Sequence, residues 1–170
     1  MTPSTQPTPN GYRLSQIAVH WIVFGLVAFM FFTGDYMTDA WRAMTRSGAT
    51  TWTSPWVPIH IVGGLLVFAL MLARLALRRR YGAPPPPADE APALRFLAVG
   101  VHHLLYFDLL VAPLVGLAAY FLFPKLGGVH EFLVRLPIIV LVGLHVVGAL
   151  YHRFVLRSGV AERMLWPISG

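Results

Sequence analysis

The sequence contains no cysteine, and only 12% of its 170 residues are charged. The absence of cysteine excludes disulfide bonds, thiolate metal sites, iron–sulfur clusters and covalent attachment of a c-type haem. A soluble domain averages about 25% charged residues, whereas 56% of this chain is hydrophobic. The composition is therefore that of an integral membrane protein.

Acidic residues are also scarce, since 7 acidic against 13 basic residues give a formal net charge of +6. Such an excess can indicate a nucleic-acid partner. Here the basic residues lie at the ends of apolar runs, where they orient a protein in a membrane. We therefore predict no nucleic-acid partner and a lipid bilayer around the chain.

Four apolar stretches are long enough to cross the roughly 30 Å of hydrocarbon in a bilayer. The predicted spans are residues 16–33, 57–77, 97–123 and 132–155. Backbone polar groups in lipid must be satisfied internally, so each span is expected to be a helix. The sequence predicts one all-α domain over residues 16–156, an integral membrane four-helix bundle.

The remaining segments differ in kind. Residues 1–15 are polar and rich in Pro and Thr, which predicts a disordered cytoplasmic lead-in, and the apolar run after them is predicted to be a retained span. Residues 35–55 are predicted to be a polar surface loop, with Trp41, Trp52 and Trp56 at the membrane interface. Residues 79–96 are predicted to be a stiff proline-rich linker, and residues 157–170 a cytoplasmic tail.

The distribution of basic residues predicts the orientation. Nine of them flank one side of the membrane: Arg13, Arg74, Arg78, Arg79, Arg80, Arg95, Arg153, Arg157 and Arg163. Only four flank the other: Arg42, Arg46, Lys125 and Arg135. By the positive-inside rule, both termini are expected in the cytoplasm.

Seven histidines lie in or at the ends of the predicted spans: His20, His60, His102, His103, His130, His145 and His152. Ionisable groups inside a membrane are costly and are usually functional. A single histidine is as well explained by a hydrogen bond between helices. Seven together argue against that explanation.

Depth predicts which histidines meet. His145 lies about 21 Å along the fourth span from its outer start, which brings it to the cytoplasmic half, where His20 lies. His60 and His130 both open their spans on the outer side. The pairs His20/His145 and His60/His130 thus predict two sites, one in each leaflet, and imidazole pairs in a bundle core can be axial haem ligands.

Several other residues near the predicted sites have two possible roles each. Glycines beside the paired histidines leave room for a flat macrocycle, although membrane helices also use glycine for close packing. Arg74 reaches the level of the inner pair, either as a partner for a haem propionate or as a residue that snorkels to the interface. His152 and His102 are predicted either to line a quinone pocket near the inner site or to make interfacial hydrogen bonds. Asp108 is the only acid inside a span, and it either meets a cation or marks a proton path.

Four segments together resemble the bacterial cytochrome b-561 family: YRLSQIAVHW, IHIVGGLLVFALMLARLALR, HHLLYFDLLVAPLVGL and HEFLVRLPIIVLVGLHVVGALYHRFVLRSG. The family is related to the di-haem subunits of hydrogenases and formate dehydrogenases. The resemblance implies a four-helix bundle in the bacterial inner membrane with two haem b groups. It assigns the axial ligands to His20, His60, His130 and His145, and it implies electron exchange with quinone.

One feature departs from the resemblance, which implies 14 residues between the two ligands of the fourth helix. His130 and His145 are 15 apart, and at about 100° per residue this turns one ligand about 60° away from the other. Pro137 lies between them and removes a backbone donor. We expect a bulge or kink near Pro137 to absorb the additional residue.

The preferred function is a di-haem electron carrier between a periplasmic-side donor and membrane quinone, which would make the protein an oxidoreductase without assigned catalytic residues. Some members of the resembled family oxidise superoxide and reduce ubiquinone, so superoxide or an anionic redox partner protein is the expected donor. One alternative is a cytochrome b anchor subunit of a hydrogenase or dehydrogenase complex. A second is a histidine-based proton or metal transporter, although such a path would need more carboxylates than Asp108.

Overall fold

The computed structural model describes residues 10–48 and 54–167. Its four long helices are α1 (Leu14–Ser47), α2 (Trp56–Tyr81), α3 (Pro92–Phe121) and α4 (Gly127–Tyr151). Each is long enough and apolar enough to cross a membrane. Since these two ranges contain no β-strand, the prediction of an all-α membrane bundle is confirmed.

Helix α1 is longer than its predicted span, because it continues through 34 residues to Ser47. The prediction of a loop from residue 35 onward is therefore wrong for residues 35–47, while Trp52 and residues 49–53 lie outside the described residues. Polarity ends a membrane span but does not end a helix. The helix ends at Gly48, whose φ of 65° is the left-handed conformation that glycine adopts at a helix C-terminus.

The α2–α3 linker, the start of α1 and the C-terminal tail lie at the same end of the bundle, which we call the terminal end. Residues 1–9 of the predicted lead-in and residues 168–170 of the tail are outside the described residues. Three side-chain hydrogen bonds tie the segments together: Gln16 Nε2 to the Gly82 carbonyl at 3.0 Å, Arg163 Nη1 to the Pro85 carbonyl at 2.7 Å and Trp21 Nε1 to the Met164 carbonyl at 2.9 Å.

The helices pack consecutively, α1 on α2, α2 on α3 and α3 on α4. Helices α1 and α4 meet through side chains instead, at His20 and His145 and at Asp35 and Arg135. We call the end that holds the α1–α2 and α3–α4 connections the hairpin end. Large apolar side chains face outward along the bundle, such as Phe32 with 78% of its surface exposed, as expected for a protein whose surroundings are lipid.

Paired histidines and the candidate cofactor sites

The hairpin-end pair consists of His60, in the second turn of α2, and His130, in the first turn of α4. Their ring centroids are 5.9 Å apart and their planes are perpendicular. His130 Nδ1 donates a hydrogen bond of 2.9 Å to the Ala112 carbonyl, which fixes the ring and leaves Nε2 for a ligand. His60 Nδ1 is buried without a hydrogen-bond partner among the described residues.

A cavity of about 540 Å³ surrounds this pair, within the range of roughly 300–1,000 Å³ for small-molecule and cofactor sites. Its wall includes both imidazoles and the glycines at positions 34, 64, 116, 127 and 128. A Cβ atom at Gly116 would lie 2.8 Å from Cε1 of His130. The imidazole of His130 therefore occupies the space that the missing side chain leaves.

Charged groups line the same cavity near the hairpin end. Arg135 contacts Asp35 at 2.6 Å and Glu131 at 3.3 Å. Arg42 also lines the cavity, and it makes no ion pair within residues 10–48 and 54–167. An anionic group in the cavity would therefore find one uncommitted guanidinium beside it.

The terminal-end pair consists of His20 and His145, whose ring centroids are 6.1 Å apart. The ring of His102 lies 5.0 Å from that of His145, so three imidazoles form one cluster. His102 Nδ1 donates to the Ala98 carbonyl at 2.6 Å. The neighbouring His103 is exposed and bonds back to its own helix. Only His102 of this adjacent pair points inward.

Arg74 reaches this cluster. Its guanidinium contacts Nδ1 of His20 and donates from Nε to the hydroxyl of Tyr106 at 3.0 Å. Tyr12, just before α1, belongs to the same region, and the sequence analysis did not single it out. Burial raises the pKa of the Tyr12 hydroxyl above its ordinary value, while Arg78 and Arg74 act in the opposite direction. The terminal end therefore combines arginine side chains with tyrosine hydroxyls.

His152 lies in a different set of contacts. It begins the π-helical turn His152–Leu156 and is buried. Its Nε2 is 3.1 Å from Oε1 of Glu90, and its Nδ1 is 2.9 Å from Oγ of Ser158. No contact joins His152 to Arg74 or His102 in the described part of the chain. Glu90 could not be anticipated, because the sequence does not indicate that the proline-rich linker folds onto the end of α4.

Helix α4 is α-helical from Gly127 to Tyr151, including the residues around Pro137. The predicted bulge at Pro137 is therefore absent, and the π-helical turn lies 15 residues later, at His152. Both His130 and His145 nevertheless meet their predicted partners. His130 lies in the first turn of the helix, and its side chain extends as far as α3. The length of this side chain therefore compensates for the rotational offset of about 60° between His130 and His145.

Both histidine pairs have the separation that a shared metal ion requires. A metal–imidazole bond is about 2 Å long, so two imidazoles that coordinate one metal from opposite sides have centroids about 6 Å apart. The observed separations are 5.9 Å and 6.1 Å, while the 5.0 Å between His102 and His145 is too short. The four histidines therefore fit two bis-imidazole haem sites, and the hairpin-end cavity provides room at one of them.

Four membrane helices around paired core histidines define a membrane cytochrome b. The chain belongs to the prokaryotic cytochrome b561 family, whose model matches residues 11–167. Membership implies haem b as the cofactor and electron transfer as the function of this multi-pass bacterial membrane protein. The anchor-subunit and transporter alternatives are not favoured.

Three curated relatives match nearly end to end. Cytochrome b562 of Cereibacter sphaeroides is 31% identical over 160 residues, which are 92% of this chain and 96% of the relative. The probable superoxide oxidase CybB of Yersinia pestis is 26% identical over 178 residues, 91% and 95% respectively. Cytochrome b561 homolog 1 of Escherichia coli is 26% identical over 182 residues, 92% and 97% respectively.

Proposed function

We propose that the protein carries electrons through two haem b groups, one held by His60 and His130 and the other by His20 and His145. The observation that carries the proposal is the separation of the two ring pairs, 5.9 Å and 6.1 Å, in opposite halves of the bundle. When bound, each haem supplies an iron that accepts and releases one electron.

The chain would supply orientation, water exclusion and charge at these sites. The hydrogen bond from His130 to the Ala112 carbonyl fixes the ring and raises the basicity of its free nitrogen. The surrounding apolar helices keep water away. Arg42 in the hairpin-end cavity and Arg74 beside His20 are placed for carboxylate groups such as propionates.

The two pairs would form a route across the membrane. His130 and His145 lie on one continuous helix, about 22 Å apart at 1.5 Å per residue. The hairpin end presents Arg42 to an incoming anion, which would speed its encounter. The relative named a probable superoxide oxidase supports superoxide as this donor, and an anionic redox partner protein is the other candidate.

Quinone, such as ubiquinone, is the proposed electron acceptor at the terminal end. Arg74 and His102 lie at the cluster around His145, where they could hold the quinone oxygens. His152 and Glu90, whose side chains are in contact at the same end, would relay protons to this site.

We place both termini, and therefore the terminal end, on the cytoplasmic side of the bacterial inner membrane, because nine of the 13 basic residues flank that end. Reporter fusions after residue 88, in the α2–α3 linker, and after residue 48, at the end of α1, are expected to lie on opposite sides, with residue 88 inside. A periplasmic signal from the fusion at residue 88 would reverse the orientation and the assignment of donor and acceptor ends.

The function is tested by stopped-flow absorbance of the purified haem-loaded protein mixed with superoxide or with ubiquinol. Each donor alone is expected to reduce the haems, because the proposed route needs no second protein. In His152→Ala, the reaction with quinol is expected to slow by about tenfold or more, the lower range of acid–base contributions. His103→Ala, which removes an exposed histidine from the same end, is the matched control.

Failure of both donors to reduce the haems would contradict the stand-alone function and favour a subunit that receives electrons from a partner. An unchanged rate with quinol in His152→Ala would remove His152 from the quinone site without affecting the haem assignment.

A further inference from the structure

Asp108 is a buried acid that the proposed electron route does not use. It lies on α3 with 3% of its surface exposed, on the buried helix face that also carries Val101, Ala112 and Ala119. Its Oδ2 atom is buried and has no hydrogen-bond partner within the described residues. An acid in this position is energetically costly, so a function is needed to explain it.

The position of Asp108 along α3 is intermediate between the two histidine sites. Ala112, whose carbonyl holds His130, is four residues farther along α3, or about 6 Å. His102, whose ring contacts His145, is six residues in the other direction, or about 9 Å. A charge on Asp108 would therefore act on both sites through a low-dielectric interior.

No charged neighbour compensates Asp108. The titratable or cationic side chains that the helices place at or beside the two sites are His20, Asp35 and Arg42 from α1, His60 and Arg74 from α2, His102, Tyr106 and Tyr120 from α3, and His130, Glu131, Arg135 and His145 from α4. None of them makes a hydrogen bond or ion pair with Asp108 in residues 10–48 and 54–167. We therefore take the charge of the cofactors to set the charge state of Asp108, a step that rests on the proposed function above.

We propose that Asp108 is a proton-binding site coupled to the oxidation state of the haems. A ferric haem carries one positive charge more than a ferrous haem, and this charge stabilises a carboxylate nearby. When one electron reduces Fe(III) to Fe(II), the carboxylate of Asp108 takes up one proton from water, and it returns the proton when the iron is oxidised. The buried charge is thereby balanced in both states.

The size of the coupling follows from the separation. Two unit charges about 10 Å apart at an effective dielectric constant of about 20 change the proton affinity of the carboxylate about tenfold. A tenfold change in an equilibrium constant corresponds to about 59 mV for a one-electron couple. By linkage, the midpoint potential of a coupled haem falls by about this amount as the pH rises. At the low-pH plateau Asp108 is protonated in both oxidation states of the haem, and at the high-pH plateau it is ionised in both.

Spectroscopic redox titrations of the haem-loaded protein between pH 5 and pH 10 test the coupling. The wild-type potential is expected to show the fall. Asp108→Asn is isosteric and always neutral, so it is expected to stay near the low-pH potential of the wild type at every pH. The control Asp89→Asn removes an exposed linker acid and is expected to retain the fall. An equal fall in Asp108→Asn and the wild type would overturn the proposal.

Infrared difference spectra give a second readout that needs no variant. With ¹³C-labelled aspartate, reduction of the wild type is expected to increase the carbonyl band of a protonated carboxyl group. Asp108 is the aspartate that can produce it, because Asp35, Asp39 and Asp89 are exposed. Absence of a labelled band would overturn the proposal even if Asp108→Asn failed to fold.

Haem content is measured before either experiment. A chain that binds no haem would refute the proposed function, whereas a haem-bearing protein with potentials independent of Asp108 would refute this inference alone.

Discussion

His60→Ala is expected to remove one of the two proposed haems and to leave the other in place. The substitution deletes one imidazole of the proposed ligand pair at the hairpin end, 5.9 Å from its partner, and we expect the remaining imidazole alone to bind the haem too weakly to retain it during purification. His130→Ala is expected to give the same spectrum as His60→Ala. His20→Ala and His145→Ala are expected to lose the other haem. Pyridine haemochrome assays per chain should therefore fall by about half in each case.

At the terminal end, the third imidazole allows the substitutions to test which histidine is the partner of His145. His102 is closer to His145 than His20 is, 5.0 Å against 6.1 Å. His102→Ala is expected to keep both haems, because its ring is too near His145 to share a metal with it. Loss of a haem in His102→Ala but not in His20→Ala would reassign the ligand. A wild-type content near one haem per chain would refute the two-site proposal.

Gly116→Ala is expected to reduce haem binding at the hairpin end by about tenfold or more while the helices remain folded. The new methyl group would lie 2.8 Å from Cε1 of His130. In the absence of a metal the imidazole can rotate away, so the cost to folding is small. With a metal bound, the ring would be held on one side by the Ala112 carbonyl and on the other by the ligand bond. Disturbing the hydrogen bond that orients a metal ligand typically lowers metal affinity about 10- to 100-fold.

The matched control is Gly100→Ala, on the same helix, where an added Cβ meets nothing within 4 Å. Its haem content should equal that of the wild type. Haem titration of the apoprotein, with circular dichroism to confirm the helix content, measures both variants. Equal haem affinity in Gly116→Ala and Gly100→Ala would show that the missing side chain at position 116 is not needed to accommodate the ring of His130.

The sequence predicted the bundle because lipid leaves few choices for an apolar run of this length. The histidine pairing followed from the rise of 1.5 Å per residue, which places His145 at the level of His20 and His130 at the level of His60. These predictions depend on depth alone. They could be made without knowledge of which helices are neighbours, and the rings of each pair lie close together in the structure.

Predictions that depended on local backbone or on irregular segments were less accurate. The end of α1 is set by Gly48 and not by the polar residues after residue 34. The bulge at Pro137 was inferred from helix rotation alone, without the length of the His130 side chain. The contact of Glu90 with His152 depends on the path of a proline-rich linker, which no periodicity specifies.

The seam between α1 and α4 bears on how the protein is assembled. The other three helix interfaces are formed by close backbone packing, whereas this seam is bridged by His20 with His145 and by Asp35 with Arg135. Newly inserted helices can therefore associate in chain order before any prosthetic group arrives. We expect porphyrin to enter sideways from the bilayer through the seam, so that membrane insertion and cofactor loading are separate steps in biogenesis.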